Sequence, residues 1–396
     1  MDFNELTSII NDAMFLIDPE GPWGGFLNDI KMEKNDETKI SAFLENGVGE
    51  GVFPGAVLLI AWGGEIVFRE AMGSCSLFSK HDAMKQETIF DLASLTKPLA
   101  TTLALMKLVE SGKIDLDRSI KTLLPGALPE DKAPITTRLL LCHSAGFTDW
   151  KPFYLELVNH EPAKRKGILR KRILQEPLAY LPGDKVLYSD LGFMILEWII
   201  EESSGMTLPR YLARHFYGPL SLKKTFFVEG NHQSQIPKQS FASTEDCPWR
   251  NKVIRGEVHD ENAHALGGYS GHAGLFGTAD EVYQIVNLLR EHFLGRRQDD
   301  LKPQTVRDFF TRQDNVKGSS WALGWDTPSL EGSSAGRYFS RNSVGHLGFT
   351  GTSVWMDLEK DVIAILLTNR IHPTRKNEKI REFRPKLHDL IMEELF

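Results

Sequence analysis

Two pairs of apolar runs, one near each end of the chain, predict two β-hairpins. The runs 56–62 and 65–71 are apolar and β-rich, and Gly63-Gly64 joins them. A pair of glycines between apolar runs favours the tight turn that connects antiparallel strands. Near the other end, the runs 353–357 and 360–368 meet at Leu358-Glu359 and predict a second hairpin.

Between these hairpins the apolar residues recur mostly at helical spacing. A helix is predicted from about Ser94 to Ser111, closed by Gly112, and a short strand over 88–93 leads into it. Four further helices are predicted between about 115 and 255, at 136–143, 164–175, 191–204 and 208–216. Single helices are predicted over 40–46 and, as an amphipathic closing helix, over 380–395.

This order of elements predicts the α+β class, because strands from both chain ends can share one antiparallel sheet around a helical region. Residues 35–114 and 256–396 are expected to form a discontinuous α/β sheet domain, and 115–255 a mostly helical domain. Residues 1–34, which are acidic and interrupted by Pro and Gly, are expected to be an N-terminal appendage. The order of the strands stays open.

Composition excludes several classes of protein. The 396 residues are 41% hydrophobic and 25% charged, which is ordinary for a globular chain. The longest apolar runs fall well short of the ~20 residues that a membrane-spanning helix needs, and the acidic N-terminus does not resemble an export signal. Three widely spaced cysteines provide neither a disulfide framework nor a metal-binding pair. We therefore expect a cytoplasmic protein.

The distribution of charge argues against a nucleic-acid partner. The net charge is −7, and residues 1–50 contain eleven acidic residues against three lysines, so the remaining chain carries about +1. A nearly neutral body has no long-range field that would attract nucleic acid. The oligomeric state stays open.

The first candidate for chemistry is Ser94-Leu95-Thr96-Lys97 at the start of a predicted helix. Residues three apart share a helix face, so the Lys97 amine can reach the Ser94 hydroxyl and take its proton. The helix N-terminus adds positive potential where an oxyanion would form, and the Ser94 N–H can donate to it. An N-cap serine beside a surface lysine would show the same spacing.

Two more segments follow in the chain. Tyr188-Ser189-Asp190 directly precedes the predicted helix 191–204, where a tyrosine can shuttle a proton. The glycine-rich segment 345–351 contains His346, Gly348 and Phe349 and opens the last strand hairpin, where backbone N–H groups can face a substrate.

In this order the three segments resemble the S-x-x-K, Y-x-N-like and K-T-G-like motifs of the serine β-lactamase and penicillin-binding-protein superfamily, in particular its class C-related esterase branch. The resemblance covers about residues 40–370 and implies a β-lactamase-like fold, with an antiparallel sheet flanked by helices. It implies that Ser94 is the acylated nucleophile, Lys97 its base and Tyr188 the catalytic tyrosine. The N–H groups of Ser94 and Phe349 would bind the oxyanion, and no metal or organic cofactor is implied.

Two departures from the motifs bear on the substrate. Asp190 replaces an Asn that could donate a hydrogen bond, and His346 replaces the K-T-G lysine. A histidine with an ordinary pKa near ~6.5 is mostly neutral at pH 7 and binds an anion weakly, so anion binding is expected to improve towards pH 6. An esterase of small carboxylic esters is therefore the first expectation for function. A D-amino-acid peptidase, a DD-carboxypeptidase or a weak β-lactamase is the alternative.

Other interpretations carry less weight. Gly332-Ser333-Ser334-Ala335-Gly336 fits the G-x-S-x-G nucleophile elbow, but its flanks predict a loop rather than a strand and a helix. The segment 259–262, with His264 and His272, has metal-capable side chains without the helical spacing of a metal site. A catalytically silent binding protein on the same fold is the alternative from a different class of function.

Overall fold

The computed structural model describes residues 38–79, 81–124, 126, 128–230, 236–314 and 316–396. The predicted appendage 1–34 lies outside the described residues. The strands are β1 (Gly55–Trp62), β2 (Glu65–Gly73), β3 (Phe90–Asp91), β4 (Phe226–Phe227), β5 (Ser243–Cys247), β6 (Lys252–Arg255), β7 (Leu275–Gly277), β8 (Ser343–Leu347), β9 (Ser353–Asp357) and β10 (Val362–Thr368).

The α-helices cluster in the middle of the chain and at its two ends. They are α1 (Lys39–Gly49), α2 (Leu103–Glu110), α3 (Thr137–Leu141), α4 (Tyr154–Leu157), α5 (Pro162–Gln175), α6 (Asp190–Ser204), α7 (Leu208–Leu212), α8 (Glu261–Ala265), α9 (Ala279–Phe293), α10 (Pro303–Phe310) and α11 (Ile380–Leu395). Short 3-10 turns cover Ala93–Leu95, Ile120–Thr122, Glu130–Lys132 and Lys238–Ser240, and π-helical turns cover Lys97–Thr102 and Ala213–Tyr217.

Strands from both chain ends form one antiparallel five-stranded sheet, as the α+β prediction requires. Its order is β2-β1-β10-β9-β8, so the first hairpin joins the second through the pairing of β1 with β10. Ala56 pairs with Thr368 and Trp62 with Val362 along that seam. Both central strands are almost entirely buried, which explains why their sequences are continuously apolar rather than alternating.

The helical region packs against the sheet and around the helix that follows Ser94. Helix α9 lies against β1 and β10, and α1 contacts both β2 and α11. Helix α6 contacts α2, α3 and the π-helical turn Lys97–Thr102. Ten consecutive residues of α6, from Leu191 to Ile200, are buried, so this helix crosses the interior. The buried residues of α9 recur at helical spacing, so one face of this helix packs into the interior.

The predicted elements between 115 and 255 are largely present, with two differences. The predicted helix 208–216 begins as α7 and continues as a π-helical turn. Residues 243–255 contain the β5–β6 hairpin, an element that was not predicted within this mostly helical region. The division into two domains at about 115 and 255 stays a prediction.

The described residues contain no helix that is both long enough and apolar enough to cross a bilayer. Cys75, Cys142 and Cys247 are buried and unpaired.

Two glycines give opposite predictions for stability. A methyl group at Gly345 of β8 would overlap the buried indole of Trp355 on β9, so Gly345→Ala should destabilise the fold by about 1–3 kcal/mol through overpacking. Gly167 lies inside helix α5 with open space around it, so Gly167→Ala should stabilise by up to ~1 kcal/mol.

Urea unfolding of both variants beside the unaltered protein measures these changes. A Gly345→Ala protein as stable as the parent would contradict the packing of β8 on β9.

Candidate active site

Ser94 stands on a tight turn that links β3 to the following helix. The turn places Ala93 at φ 47°, in the left-handed region that non-glycine residues rarely adopt. The buried carboxylate of Asp91 holds it, accepting hydrogen bonds from the N–H of Ala93 at 2.9 Å and of His259 at 2.6 Å. Strain of this kind persists only where the surroundings enforce it, and it is common at functional sites.

Lys97 lies one helical turn after Ser94, and its side chain is completely buried. Its Nζ donates to Ser94 Oγ at 3.0 Å, to Asp190 Oδ1 at 2.7 Å and to the carbonyl oxygen of His272 at 3.3 Å. Burial alone would lower the pKa of Lys97, but the negative charge of Asp190 outweighs it and the pKa is raised. Lys97 is therefore an ammonium at neutral pH, and Asp190 is its counterion.

A second charged pair lies beside the first. His272 is buried and its Nε2 lies 3.0 Å from Asp260 Oδ1. Burial opposes a charge on this ring, yet Asp260 and Asp190 together raise the pKa of His272. Asp190, Asp260 and His272 bring metal-capable atoms within 4.8 Å of one another. Lys97 and His272 each face one of the two carboxylates in this cluster.

Tyr188 covers the ammonium of Lys97. The Lys97 Nζ lies 4.7 Å from the centre of the Tyr188 ring, and both Lys97 and Ser94 act to lower the pKa of the phenol. Burial raises the pKa of Tyr188, and the positive charge of Lys97 only partly offsets this. Tyr188 therefore keeps its proton at neutral pH, next to the Ser94 hydroxyl.

Two histidines flank the Tyr188 ring, and both are neutral. His143 Nδ1 accepts the N–H of Ser189 at 3.0 Å, and His346 Nδ1 lies 2.8 Å from the carbonyl oxygen of Leu347, to which it must donate. Burial, together with the charge of Lys97, lowers the pKa of His143 and lowers that of His346 to about 3. The expectation that His346 gains charge towards pH 6 is therefore wrong, because its ring is buried beside a cation.

The segment after β8 is tied to the turn that carries Ser94. Thr350 Oγ1 donates to the carbonyl oxygen of Asp91 at 2.8 Å, and Thr352 Oγ1 donates to that of Leu92 at 3.0 Å. A Cβ at Gly348 would overlap the Thr352 hydroxyl and come within 2.6 Å of the Leu92 carbonyl oxygen, so this approach requires glycine. Two segments that are far apart in the sequence, 91–94 and 348–352, therefore meet at the active site.

Ser94 and Phe349 are placed to donate backbone N–H groups to a substrate. Neither N–H takes part in the turn and loop hydrogen bonds of the described residues. The Phe349 carbonyl oxygen accepts from Arg370 at 3.0 Å (Nε) and 2.7 Å (Nη2), which fixes the orientation of this segment. Both residues line one cavity of about 410 Å³.

That cavity brings together most of the residues predicted from sequence. Ser94, Tyr188, His346, Gly348 and Phe349 line it, while Lys97 and Asp190 contact Ser94 or one another at its floor. Its other lining residues include Trp321, which the sequence makes a candidate for a substrate cleft, and Asp326, Arg370, Arg381 and Arg384. The three arginines belong to the basic run 370–386, which the sequence alone suggests to be a solvated helix face.

The competing nucleophile elbow lies elsewhere. Ser334 sits in a loop, and its carbonyl oxygen lies 2.8 Å from His388 Nδ1. Of the metal-capable residues predicted from sequence, Asp260 and His272 lie beside Lys97, whereas His264 packs edge-on against Trp249.

Comparisons with known proteins agree with this geometry. A family model described as Beta-lactamase matches residues 40–387. The chain is 32% identical over 362 residues to an N-acetylmuramyl-L-alanine amidase of Bacillus subtilis (strain 168), which covers 84% of this chain and 81% of that protein. It is 33% identical over 355 residues to a protein of Escherichia coli (strain K12) whose provisional name is D-alanyl-D-alanine carboxypeptidase, covering 81% and 79%.

Two solved structures are similar over most of their length. EstCE1, a hydrolase with promiscuous acyltransferase activity, aligns with a TM-score of 0.65 at 25% identity, covering 87% of this chain and 97% of that chain. The octameric penicillin-binding protein homologue from Pyrococcus abyssi aligns with a TM-score of 0.68 at 19% identity, covering 90% and 77%. This second likeness concerns the fold alone.

The pairing of Lys97 with Asp190 generates a pH prediction. Lys97 can take the proton of Ser94 only after losing its own, so the reactivity of Ser94 should rise with pH as Lys97 deprotonates. Asp190→Asn removes the charge that raises the pKa of Lys97, so the pH range over which the reactivity of Ser94 rises should move to lower pH. The measurement is the rate at which a fluorophosphonate modifies Ser94 between pH 5.5 and 10, followed by mass spectrometry.

Asp184→Asn is the matched control, because Asp184 is an exposed carboxylate on the same loop. This variant should not change the pH range over which the reactivity of Ser94 rises. If Asp190→Asn also leaves this pH range unchanged, another group controls the reactivity of Ser94.

Proposed function

The chain belongs to the beta-lactamase family and is a serine hydrolase, and from this we propose that it hydrolyses an ester or amide through an acyl-enzyme on Ser94. The observation that carries the proposal is the contact of Ser94 Oγ with the buried Lys97 Nζ at 3.0 Å. A serine hydroxyl becomes a nucleophile when a neighbouring base takes its proton. Membership of a hydrolase family sets aside the alternative of a catalytically silent binding protein.

The first half-reaction begins when Lys97 loses a proton to solvent, which leaves a neutral amine beside Ser94. The Asp190 carboxylate, 2.7 Å from Lys97 Nζ, opposes this loss because it stabilises the ammonium. Ser94 Oγ then bonds to the substrate carbonyl carbon while its proton moves to Lys97 Nζ. The carbonyl oxygen becomes an oxyanion, and the N–H groups of Ser94 and Phe349 donate to it.

Tyr188 completes this half-reaction. Its phenol lies between Lys97 and the cavity, so it gives its proton to the leaving oxygen or nitrogen as the scissile bond breaks. Lys97 returns a proton to Tyr188, and Ser94 is left acylated. In the second half-reaction a water attacks the acyl carbon, its proton passes back along the same groups, and Ser94 Oγ leaves with a hydrogen restored.

Two classes of scissile bond fit this site. An ester is the first candidate because His346, which replaces the family's lysine, is neutral. A neutral side chain at this position does not select for a negatively charged substrate. Ester hydrolysis is also the easier reaction, so p-nitrophenyl esters are the assay of choice. EstCE1, a hydrolase by its description, is the structural neighbour that supports this candidate.

An amide is the second candidate. The relatives above 30% identity carry the names N-acetylmuramyl-L-alanine amidase and D-alanyl-D-alanine carboxypeptidase. Both names describe the hydrolysis of an amide bond. Hydrolysis of an amide would use the same residues, with Tyr188 protonating a leaving amine instead of a leaving oxygen.

The assignment of Ser94 makes a direct prediction. Ser94→Ala should lower kcat for a p-nitrophenyl ester by about a thousandfold or more, since the covalent step is lost. The matched control is Ser334→Ala, which alters the G-x-S-x-G segment outside the site. Its activity should stay within about twofold of that of the parent protein. Activity lost with Ser334 and kept without Ser94 would refute the assignment.

Lys97 and Tyr188 are expected to act as a unit with Ser94. Lys97→Gln and Tyr188→Phe should each lower kcat by about a hundredfold or more, the usual effect of a positioned acid or base. The double variant should lose little more than the worse single variant, because each loss already breaks the same proton path. Steady-state kinetics on folded proteins tests this, and Tyr188→Phe with full turnover would exclude the tyrosine from the mechanism.

A further inference from the structure

His143 follows helix α3 in a backbone conformation that is unusual for a histidine. Its N–H donates to the Leu140 carbonyl oxygen at 3.2 Å, and the N–H of Ser144 donates to that of Leu139 at 2.9 Å. This pair of hydrogen bonds ends a helix with one residue in the left-handed region, a position that glycine usually occupies. His143 has φ 56° there. A side chain strains the backbone at such a position, so the contacts of the imidazole must offset that strain.

The loop that carries Tyr188 contacts His143 through three successive residues. The His143 carbonyl oxygen accepts the N–H of Leu187 at 2.9 Å, and its Nδ1 accepts the N–H of Ser189 at 3.0 Å. Between these two hydrogen bonds, the centre of the Tyr188 ring lies 4.5 Å from that of the imidazole. The Tyr180 hydroxyl also donates to the His143 carbonyl oxygen at 3.1 Å. His143 therefore restrains the backbone on both sides of Tyr188 as well as the ring itself.

These contacts fix the tautomer of the His143 ring. Its Nδ1 faces an N–H donor and must carry a lone pair, which places the proton of the neutral ring on Nε2. Only 2% of His143 is exposed, and burial beside the ammonium of Lys97 lowers its pKa, so the ring is neutral at pH 7.

The Nε2 of His143 shows what the imidazole contributes. This atom is buried and has no hydrogen-bond partner within the described residues, and a buried N–H without a partner costs stability. The other neighbours of the ring are aromatic, with Trp321 at 4.4 Å and Phe193 at 5.2 Å between ring centres. A phenylalanine would fill this aromatic site without leaving a polar atom unpaired. The feature particular to histidine here is the acceptor for the Ser189 N–H.

We propose that His143 is a positioning residue for Tyr188, because its Nδ1 and its carbonyl oxygen hold the backbone on either side of the tyrosine. It does not line the cavity, so it acts through Tyr188 and not on the substrate. Proton transfer requires hydrogen-bond distance, so a small displacement of the phenol slows it. This inference rests on the proposed function, in which Tyr188 protonates the leaving group, and deepens it by naming the residue that holds this acid in place.

The dependence of the rate on the leaving group separates positioning from support of the fold. Phenol is a weaker acid than p-nitrophenol, so phenoxide needs a proton as it leaves, whereas p-nitrophenoxide leaves without one. Phenyl acetate and p-nitrophenyl acetate form the same acetyl-enzyme, and kcat/KM reports on its formation. The ratio of kcat/KM for phenyl acetate to that for p-nitrophenyl acetate therefore measures how well Tyr188 is placed.

Two substitutions of His143 test the acceptor. His143→Phe keeps a ring and removes the acceptor, so it should lower this ratio by about tenfold, a part of what a positioned acid supplies. Asparagine tolerates the left-handed region, and its Oδ1 can take the place of Nδ1 as acceptor, so His143→Asn should keep the ratio within about threefold of the parent value. An unchanged ratio in His143→Phe refutes the proposal. Equal losses in the two variants refute it as well, because the acceptor would then not be what holds Tyr188.

His292→Phe is the matched control. His292 is also a buried histidine, its Nδ1 bonds the Arg297 carbonyl oxygen, and its Nε2 has no hydrogen-bond partner within the described residues. It lies at the end of α9 and does not line the cavity. A loss of folded protein lowers both rates alike, so the ratio should stay within about twofold of the parent value. If His292→Phe lowers the ratio as much as His143→Phe, general loosening of the fold explains the effect and the positioning role is refuted.

An NMR measurement on the unaltered protein keeps the proposal testable if His143→Phe does not fold. With ¹⁵N-labelled histidine, the His143 signals, identified by their loss in His143→Asn, should show a proton on Nε2 and a lone pair on Nδ1 at pH 7. A ring protonated on Nδ1 would overturn the proposal, because it could not accept the Ser189 N–H. The proposed function fails separately, through full turnover in Ser94→Ala or Tyr188→Phe, so the two failures can be told apart.

Discussion

The buried ammonium of Lys97 is the interaction on which the rest of the site depends. Removing an ammonium from water costs several kcal/mol unless hydrogen bonds and an opposite charge replace the lost solvent. Here the Ser94 hydroxyl, the Asp190 carboxylate and the His272 carbonyl oxygen replace it. These groups come from three distant segments of the chain, so satisfying one side chain forces the start of α6 and the segment before β7 against the turn that carries Ser94.

The site has three regions that differ in charge. At the floor, Lys97 is paired with Asp190, and His272 contacts Asp260. Around Tyr188 the surroundings are neutral, because burial and the nearby ammonium lower the pKa values of His143 and His346. Beyond them the arginines of the C-terminal part of the chain make the outer cavity positive.

Much of the fold follows from patterns within a few residues of one another. The hairpin at Gly63-Gly64 and the one before Thr368 are present, since turn glycines and apolar runs act locally. Helices such as α5 and α6 begin and end within a few residues of their predicted limits. The β5–β6 hairpin differs, because its residues are strand-paired and buried by contacts that spacing does not encode. Sheet order likewise depends on which distant strands meet.

For the site itself, the sequence alone determined the pairing of Ser94 with Lys97, because helical geometry places residues three apart on one face. The resemblance of its motifs to a known family also predicts that Tyr188, Asp190 and the segment around His346 share one site. Only the tertiary structure decided that Asp190 is the counterion of Lys97, that His346 stays neutral, and that Arg384 faces the cavity. Charge partners and pKa values depend on burial and on distances between remote segments, and packing of the whole chain sets both.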